Sequence, residues 1–469
     1  MPKTDSAAVA TATSLPPEIF KAYDIRGIVD KTLTAEIVER IGHALGSEAR
    51  ARHQQSFVIG RDGRLSGPGL AAALARGIAH SGCDVVDVGM VPTPVVYFAI
   101  RHLGAGSGVA VTGSHNPPDY NGLKMVIGDE TLSGEAIQKL RRRIQDNDLT
   151  TGAGAISQAD VRTAYLERVS GDVKLARPMR VAVDCGNGVA GELAPQLLKR
   201  LGCQVTELFC RVDGRFPNHH PDPSKPENLQ DLITEIDKGG YDVGLAFDGD
   251  GDRLGVIAPD GNVIWADRQM ILYARDVLSR HPGGEIIYDV KCSRMLDAEI
   301  RKSGGKATMW KTGHSLIKAK LRESGALLAG EMSGHIFFKE RWYGFDDGLY
   351  TAARLLELLS RDARPTREIF AALPNTVNTP ELNLKFPEGE HFTVIKELVG
   401  RARFPDAKLT TIDGLRADFP DGFGLVRASN TTPVLVFRFE ADNQAALERI
   451  QKRFRQLVLS VRPGVKLPF

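Results

Sequence analysis

Val109-Ala110-Val111-Thr112-Gly113-Ser114-His115-Asn116-Pro117-Pro118 is the stretch around which the rest of the chain is organised. Three apolar residues read as the end of a strand. The small, Gly- and Pro-punctuated run after them reads as a loop that presents side chains rather than burying them. Gly113 permits unusual backbone angles and close approach of a ligand, and Pro117 and Pro118 block an immediate helix. Ser114 and His115 are neighbours here, but a Ser-His pair alone is no triad. A second stretch gives the loop its meaning: the apolar run 242–247 delivers Asp248-Gly249-Asp250-Gly251-Asp252-Arg253.

Three Asp at i, i+2 and i+4 with Gly between them bring three carboxylates to one point, where they repel unless a cation sits among them. Oxygen-only ligands select a hard ion such as Mg²⁺. A calcium EF-hand loop is excluded. It needs Gly at its sixth position and Glu at its twelfth, where this chain has Arg253 and Pro259, and its flanks are helices rather than strands. Magnesium commonly works with phosphate. A serine on an exposed loop can carry that phosphate covalently, and Arg253 can clamp it bidentately. Lys124 and His115 lie near enough in sequence to Ser114 to share its pocket.

The 469 residues correspond to roughly three or four domains. Apolar content of 42% fits a chain with sizeable cores, and a formal charge of +2 gives no reason to expect nucleic acid as the main partner. The five cysteines form no CxxC pair and read as free thiols in a reducing compartment, so a cytoplasmic location is expected. No apolar run reaches about 18 residues, so no membrane partner is expected. Residues 1–17 lack the features of a secretory signal and read as a disordered tail.

From there strands alternate with helices, which predicts α/β units. Thr34 opens a helix, and Leu70, Leu74 and Ile78 form a buried stripe on the next. Ser133 is placed to cap a helix lined by Ile137, Leu140 and Ile144. The pattern restarts at 180 and again at 285, which predicts three similar units of roughly 100 residues. Gly186, Gly188 and Gly191 form a G-x-G-x-x-G after a strand, read as a tight turn before a dinucleotide loop. His219, His220 and Asp222 are metal ligands by type, but adjacent histidines point apart, so a hydrogen-bonded loop is expected. From about residue 364 a smaller α+β unit follows. The expected divisions are 18–158, 159–260, 261–372 and 373–469, with 364–374 a candidate hinge.

Four motifs together carry a resemblance: Thr112-Gly113-Ser114-His115-Asn116-Pro117, the Asp248–Arg253 loop, Gly330-Glu331-Met332-Ser333-Gly334-His335 and Arg427-Ala428-Ser429-Asn430-Thr431-Thr432. With Tyr23-Asp24-Ile25-Arg26-Gly27 they make the chain resemble the α-D-phosphohexomutases, in particular the bacterial phosphomannomutase/phosphoglucomutase type. The resemblance implies three similar α/β domains plus a smaller C-terminal α+β domain around a central cleft. It implies a phosphoserine at Ser114, and Mg²⁺ held by Asp248, Asp250, Asp252 and a serine phosphate oxygen. Glu331 and Ser333, with His335 beside them, would read sugar hydroxyls. Arg427, Ser429, Asn430 and Thr431 would hold the non-reacting phosphate. Tyr23, Arg26, Lys124, Lys291 and His314 would line the cleft. A hexose 1,6-bisphosphate would be the intermediate between hexose 1- and 6-phosphates, and a monomer is expected.

The general base stays open between Lys124 with Arg26, and His335. Met332 resembles the glucose/mannose type, whereas glucosamine-phosphate relatives tend to carry Gln there. Gly113, where many relatives carry Ala, is expected to matter little. The alternatives are a phosphoglucosamine mutase, or a Mg²⁺-dependent phosphatase on the same scaffold.

Overall fold

The computed structural model describes residues 15–469. Its first three units repeat one four-stranded design. In the first, Ser56–Arg61 lies between Asp84–Met90 and Gly106–Val111, parallel to both, and Tyr120–Ile127 runs antiparallel beside Gly106–Val111. In the second, Arg180–Asp184 lies between Gln204–Leu208 and Val243–Phe247, with Leu254–Ile257 antiparallel. In the third, Glu285–Asp289 lies between Lys306–Trp310 and Leu328–Gly330, with Ile336–Phe338 antiparallel. The expected repeat is therefore one of topology, second–first–third–fourth strand each time.

These strands are near-continuous apolar runs because helices cover both faces; Val181, Val183, Val243 and Leu245 are fully buried. Thr34 caps Ala35–Ala51 by accepting the Ile37 N–H at 3.3 Å. The expected stripes of Gly67–His80 and Glu135–Gln145 are buried. Gly134, not Ser133, is the N-cap of the latter. Its φ of 50° turns the chain into the helix with no side-chain cap. Residues 1–14 of the expected tail lie outside the described residues. Residues 15–17 depart from that expectation, since Leu15 packs against the first unit's own core, around Ile37, Leu74 and Ile137, and Pro17 opens the short helix Pro17–Ile19.

The fourth unit is an antiparallel sheet centred on Gly422–Ala428 and Val434–Ala441, packed on Glu390–Arg401 and Gln444–Val461. One apolar core runs through the first three units, joining Val58, Val183, Ile286 and Leu355. The fourth has its own, around Leu398, Phe437 and Phe454. Residues 364–374 are not a free hinge. Thr366–Ala371 is a helix whose Ile369 and Phe370, with Leu373 after it, are buried in the shared core. The crossing to the fourth unit is 374–376, beyond that anchor, since Val377–Asn378 already pairs with Val434–Ala441. Among the described residues no helix is long and apolar enough to cross a membrane.

Candidate active site

In each of the first three units the motif loop joins the third strand to its antiparallel neighbour; in the fourth, residues 429–433 join the last two strands. The carboxyl ends of adjacent strands are where open α/β sheets hold ligands. The loops meet. Ser114 Oγ is 3.2 Å from Asp248 Oδ2 and 3.1 Å from His115 Nδ1. Gly249 lies so near the serine loop that a Cβ there would be 2.3 Å from the Ser114 carbonyl oxygen. Arg253 donates from Nη2 to His115 Nδ1 at 2.8 Å, and its Nε is 3.3 Å from His335 Nε2. A backbone bridge between Arg253 and His335 ties the acidic loop to the third unit.

Asp248, Asp250 and Asp252 are fully buried, and one oxygen from each lies within 4.8 Å of the others. Asp250 Oδ1 and Asp252 Oδ1 have no hydrogen-bond partner. Burial, then the charges of Asp252 and Asp250, push the Asp248 carboxyl well above its usual range. Buried, mutually repelling oxygens with orphaned lone pairs are a donor set that fits a hard divalent cation.

The register Ala110↔Lys124 places Lys124 beside this cluster. It donates to Asp250 at 2.8 Å and to Asp252. Burial works against its charge, but the two carboxylates outweigh that and hold the ammonium well above its ordinary value. His335 stands 3.4 Å from Asp252 Oδ1 and 3.2 Å from Glu331 Oε2. Burial opposes its charging too, yet chiefly Asp252 lifts it to about 9. Both candidate bases are thus cations at neutral pH in this arrangement. The neutral imidazoles are His115, lowered by burial and then Arg253, and His314, lowered by burial and then Lys318. Arg26 donates to Asn116 Oδ1 at 2.6 Å and Asp24 at 2.5 Å.

Glu331 accepts the Gly313 N–H at 2.5 Å, Ser333 Oγ is 2.9 Å from His335 Nδ1, and the His314 and His335 rings stack at 5.7 Å. Lys291 pairs with Glu381 at 2.7 Å. Arg427 donates from Nε to Asp413 at 3.0 Å, while its buried Nη2 has no partner. Ser429 and Thr431 hydroxyls are 3.3 Å apart. Asn430 donates to the Tyr23 hydroxyl, which donates to the Thr312 carbonyl at 2.8 Å, so the fourth unit touches the first and third here.

Several site residues escaped the sequence. Glu381 and Asp413 partner expected ligand-binding cations. Buried Asp346 is 2.8 Å from Lys318 Nζ and 3.7 Å from His314 Nδ1. Arg64, fully buried, donates to the carbonyls of Ser114 (2.8 Å), Asn116 (2.6 Å), Pro117 (2.5 Å) and Tyr120 (2.9 Å), and to Asp62 at 3.1 Å. Nothing local in its Arg61-Asp62-Gly63-Arg64 run says which loop it holds.

Gly113 has less room around it than the sequence suggests, because a Cβ there would lie 2.4 Å from the Arg64 guanidinium carbon. That group is pinned by its carbonyl partners and cannot step aside freely. Gly113→Ala is expected to cost about 1–3 kcal/mol by overpacking and to lower turnover through a displaced Ser114. Melting curves and steady-state kinetics check this, and a variant matching the parent in both would show that the space is free.

The Gly-rich turn 186–191 is not open to a dinucleotide: a Cβ on Gly188 would be 3.0 Å from Gly249, and one on Gly186 would be 3.0 Å from Pro221. His219 is 2.9 Å from Asp184, His220 bonds the His115 carbonyl, and Pro221 accepts the Gly249 N–H at 3.1 Å. That loop braces the acidic loop.

Comparison with known proteins agrees across the whole architecture. Phosphoglucomutase/phosphomannomutase alpha/beta/alpha domains I, II and III match residues 17–151, 163–261 and 265–377, and the C-terminal domain of that family matches 381–457. A Pseudomonas aeruginosa phosphomannomutase/phosphoglucomutase is 56% identical over 462 residues, 98% of this chain and 100% of its own. A Neisseria gonorrhoeae phosphoglucomutase is 56% identical over 451 residues, 95% of this chain and 98% of its own. The crystal structure of a phosphoglucomutase/phosphomannomutase family protein from Burkholderia thailandensis superposes with a TM-score of 0.93 at 56% identity, covering 97% of this chain and 100% of that one. By its four domains in order, its fold and its identity to these relatives, the chain belongs to the phosphoglucomutase/phosphomannomutase family.

Proposed function

We propose that the chain interconverts hexose 1-phosphate and hexose 6-phosphate, of glucose, mannose or both, through a phosphoserine at Ser114 and a hexose 1,6-bisphosphate. The observation that carries this is Ser114 Oγ at 3.2 Å from Asp248, one of three clustered buried carboxylates. Asp248, Asp250 and Asp252, with a phosphate oxygen on Ser114, would hold Mg²⁺. Such an ion, when bound, neutralises charge on a transferring phosphoryl group. Lys124 and Arg253, both held as cations, would stabilise the same charge from the protein side.

In the first half-reaction the bond from phosphorus to Ser114 Oγ breaks and one to the sugar hydroxyl oxygen forms, and the proton that hydroxyl gives up is balanced by the one the released Ser114 Oγ takes to become a hydroxyl again. The bisphosphate then turns end for end and returns its other phosphoryl group to Ser114. Glu331, Ser333 and His335 would orient the sugar. Arg427, Ser429, Asn430 and Thr431 would hold whichever phosphate is not reacting. The names of the closely similar relatives and Met332 favour glucose and mannose over glucosamine. The loops of one chain complete the site, which supports a monomer, and five free thiols support a reducing, cytoplasmic setting.

Intact-mass analysis tests the covalent step. The purified enzyme, primed with glucose 1,6-bisphosphate, is expected to carry a species heavier by about 80 Da, one phosphoryl group, and Ser114→Ala to lack it. No such species after priming would end the phosphoserine reading.

A further inference from the structure

Behind the acidic loop, two thiols face each other. Cys185 follows the strand Arg180–Asp184, and Cys210 follows its parallel neighbour Gln204–Leu208. Their Sγ atoms are 3.4 Å apart. Cys185 is fully buried, whereas Cys210 is half-buried and is the one of the two residues that solvent reaches. The two residues leave adjacent parallel strands just past their last register pair, Asp184↔Leu208, and it is their sulfurs that meet.

We propose that Cys185 and Cys210 are a redox-active pair that a peroxide closes to a disulfide, and that closure disables the acidic loop. Cys210 Sγ, as thiolate, attacks one oxygen of hydrogen peroxide. The O–O bond breaks, and the departing hydroxide takes a proton and leaves as water. Cys185 Sγ then attacks the resulting Cys210 sulfenic acid. The S–O bond breaks, an S–S bond forms, and the hydroxide leaves as a second water with the Cys185 proton. Two thiols lose two electrons and one peroxide gains them. A dithiol reverses the exchange.

The mechanical link to the site is short. Closing the bond draws the sulfurs together by about 1.4 Å, from 3.4 Å to an S–S bond length. The Cys210 backbone is backed by Gly191, where a Cβ would lie 1.9 Å from the Cys210 carbonyl oxygen. The Cys185 carbonyl accepts the Gly188 N–H at 2.6 Å, and the next N–H, of Val189, donates to the Gly249 carbonyl at 3.1 Å. Gly249 lies between Asp248 and Asp250. A pull on Cys185 therefore passes through two hydrogen bonds to the carboxylates.

The test is peroxide treatment of the full chain, followed by alkylation after unfolding and peptide mapping. The expected result is two fewer alkylated thiols, a Cys185–Cys210 cross-linked peptide, and mutase activity lowered at least about tenfold and restored by dithiothreitol. Cys210→Ala is expected to keep its activity through the same treatment. Five alkylatable thiols after peroxide, a cross-link without loss of activity, or equal inactivation of Cys210→Ala would each overturn the proposal. Should Cys210→Ala not fold, titrating the parent chain across thiol:disulfide ratios decides, because activity must then fall in step with the cross-link. The cross-link is read by mass alone, so it stands or falls separately from the phosphoserine reading.

Discussion

Asp250→Asn is expected to fold and to lose at least about 10²-fold in turnover, the scale of removing one preorganised electrostatic group from a phosphoryl-transfer site. Asp250 Oδ2 accepts from Thr93 Oγ1 at 2.6 Å and Lys124 Nζ at 2.8 Å, and its other oxygen is orphaned. An Asn side chain keeps the shape and one acceptor, so the Thr93 bond survives. Lys124 retains Asp252, which protects the fold from a fully unpaired buried cation. What goes is one hard, charged oxygen donor of the three that would hold Mg²⁺. EDTA is expected to abolish the activity of the parent enzyme and Mg²⁺ to restore it. Kinetics with a melting curve alongside decide it, and full activity in EDTA would sink the metal assignment.

Arg427→Ala is expected to weaken substrate binding by roughly 1.5–3 kcal/mol, the worth of a charge-assisted hydrogen bond, or about 10- to 150-fold in KM. Its buried Nη2 is unpartnered while Nε is committed to Asp413, so the guanidinium is held with a donor to spare. Asp413 keeps the Thr312 N–H at 2.9 Å when the arginine is lost, which limits the damage to stability. A mutase must hold the spare phosphate whichever end reacts. The variant should therefore release the bisphosphate more often and come to depend on added glucose 1,6-bisphosphate. A hydrolase has no such need. A folded variant with unchanged KM and no dependence on bisphosphate would return the phosphatase reading.

The two predictions rest on different kinds of information. The motif loops were legible because each is short and local. Phosphate and metal chemistry fixes residue types at fixed spacing, as in the Asp248, Asp250, Asp252 run, and an apolar strand lies directly before each of the first three loops and directly after the fourth. The threefold restart of strand and loop was enough for the α/β architecture, since parallel strands buried on both faces read as apolar runs.

Spacing carries no record of what lies across a fold. Arg64 sits 50 residues from the Ser114 carbonyl it holds, and Asn430 sits 407 from Tyr23. So the room denied to a side chain at Gly113, the acids opposite Arg427 and Lys291, and the facing sulfurs of Cys185 and Cys210 appear only once the chain is folded. The same holds for charge. Sequence offered Lys124 and His335 as bases, but burial, which opposes their charge, is outweighed by Asp250 and Asp252 beside Lys124 and by Asp252 beside His335, and the packing holds both as cations. A side chain's type is written in the sequence, whereas its protonation is set by the charges and the solvent exclusion that tertiary packing puts around it.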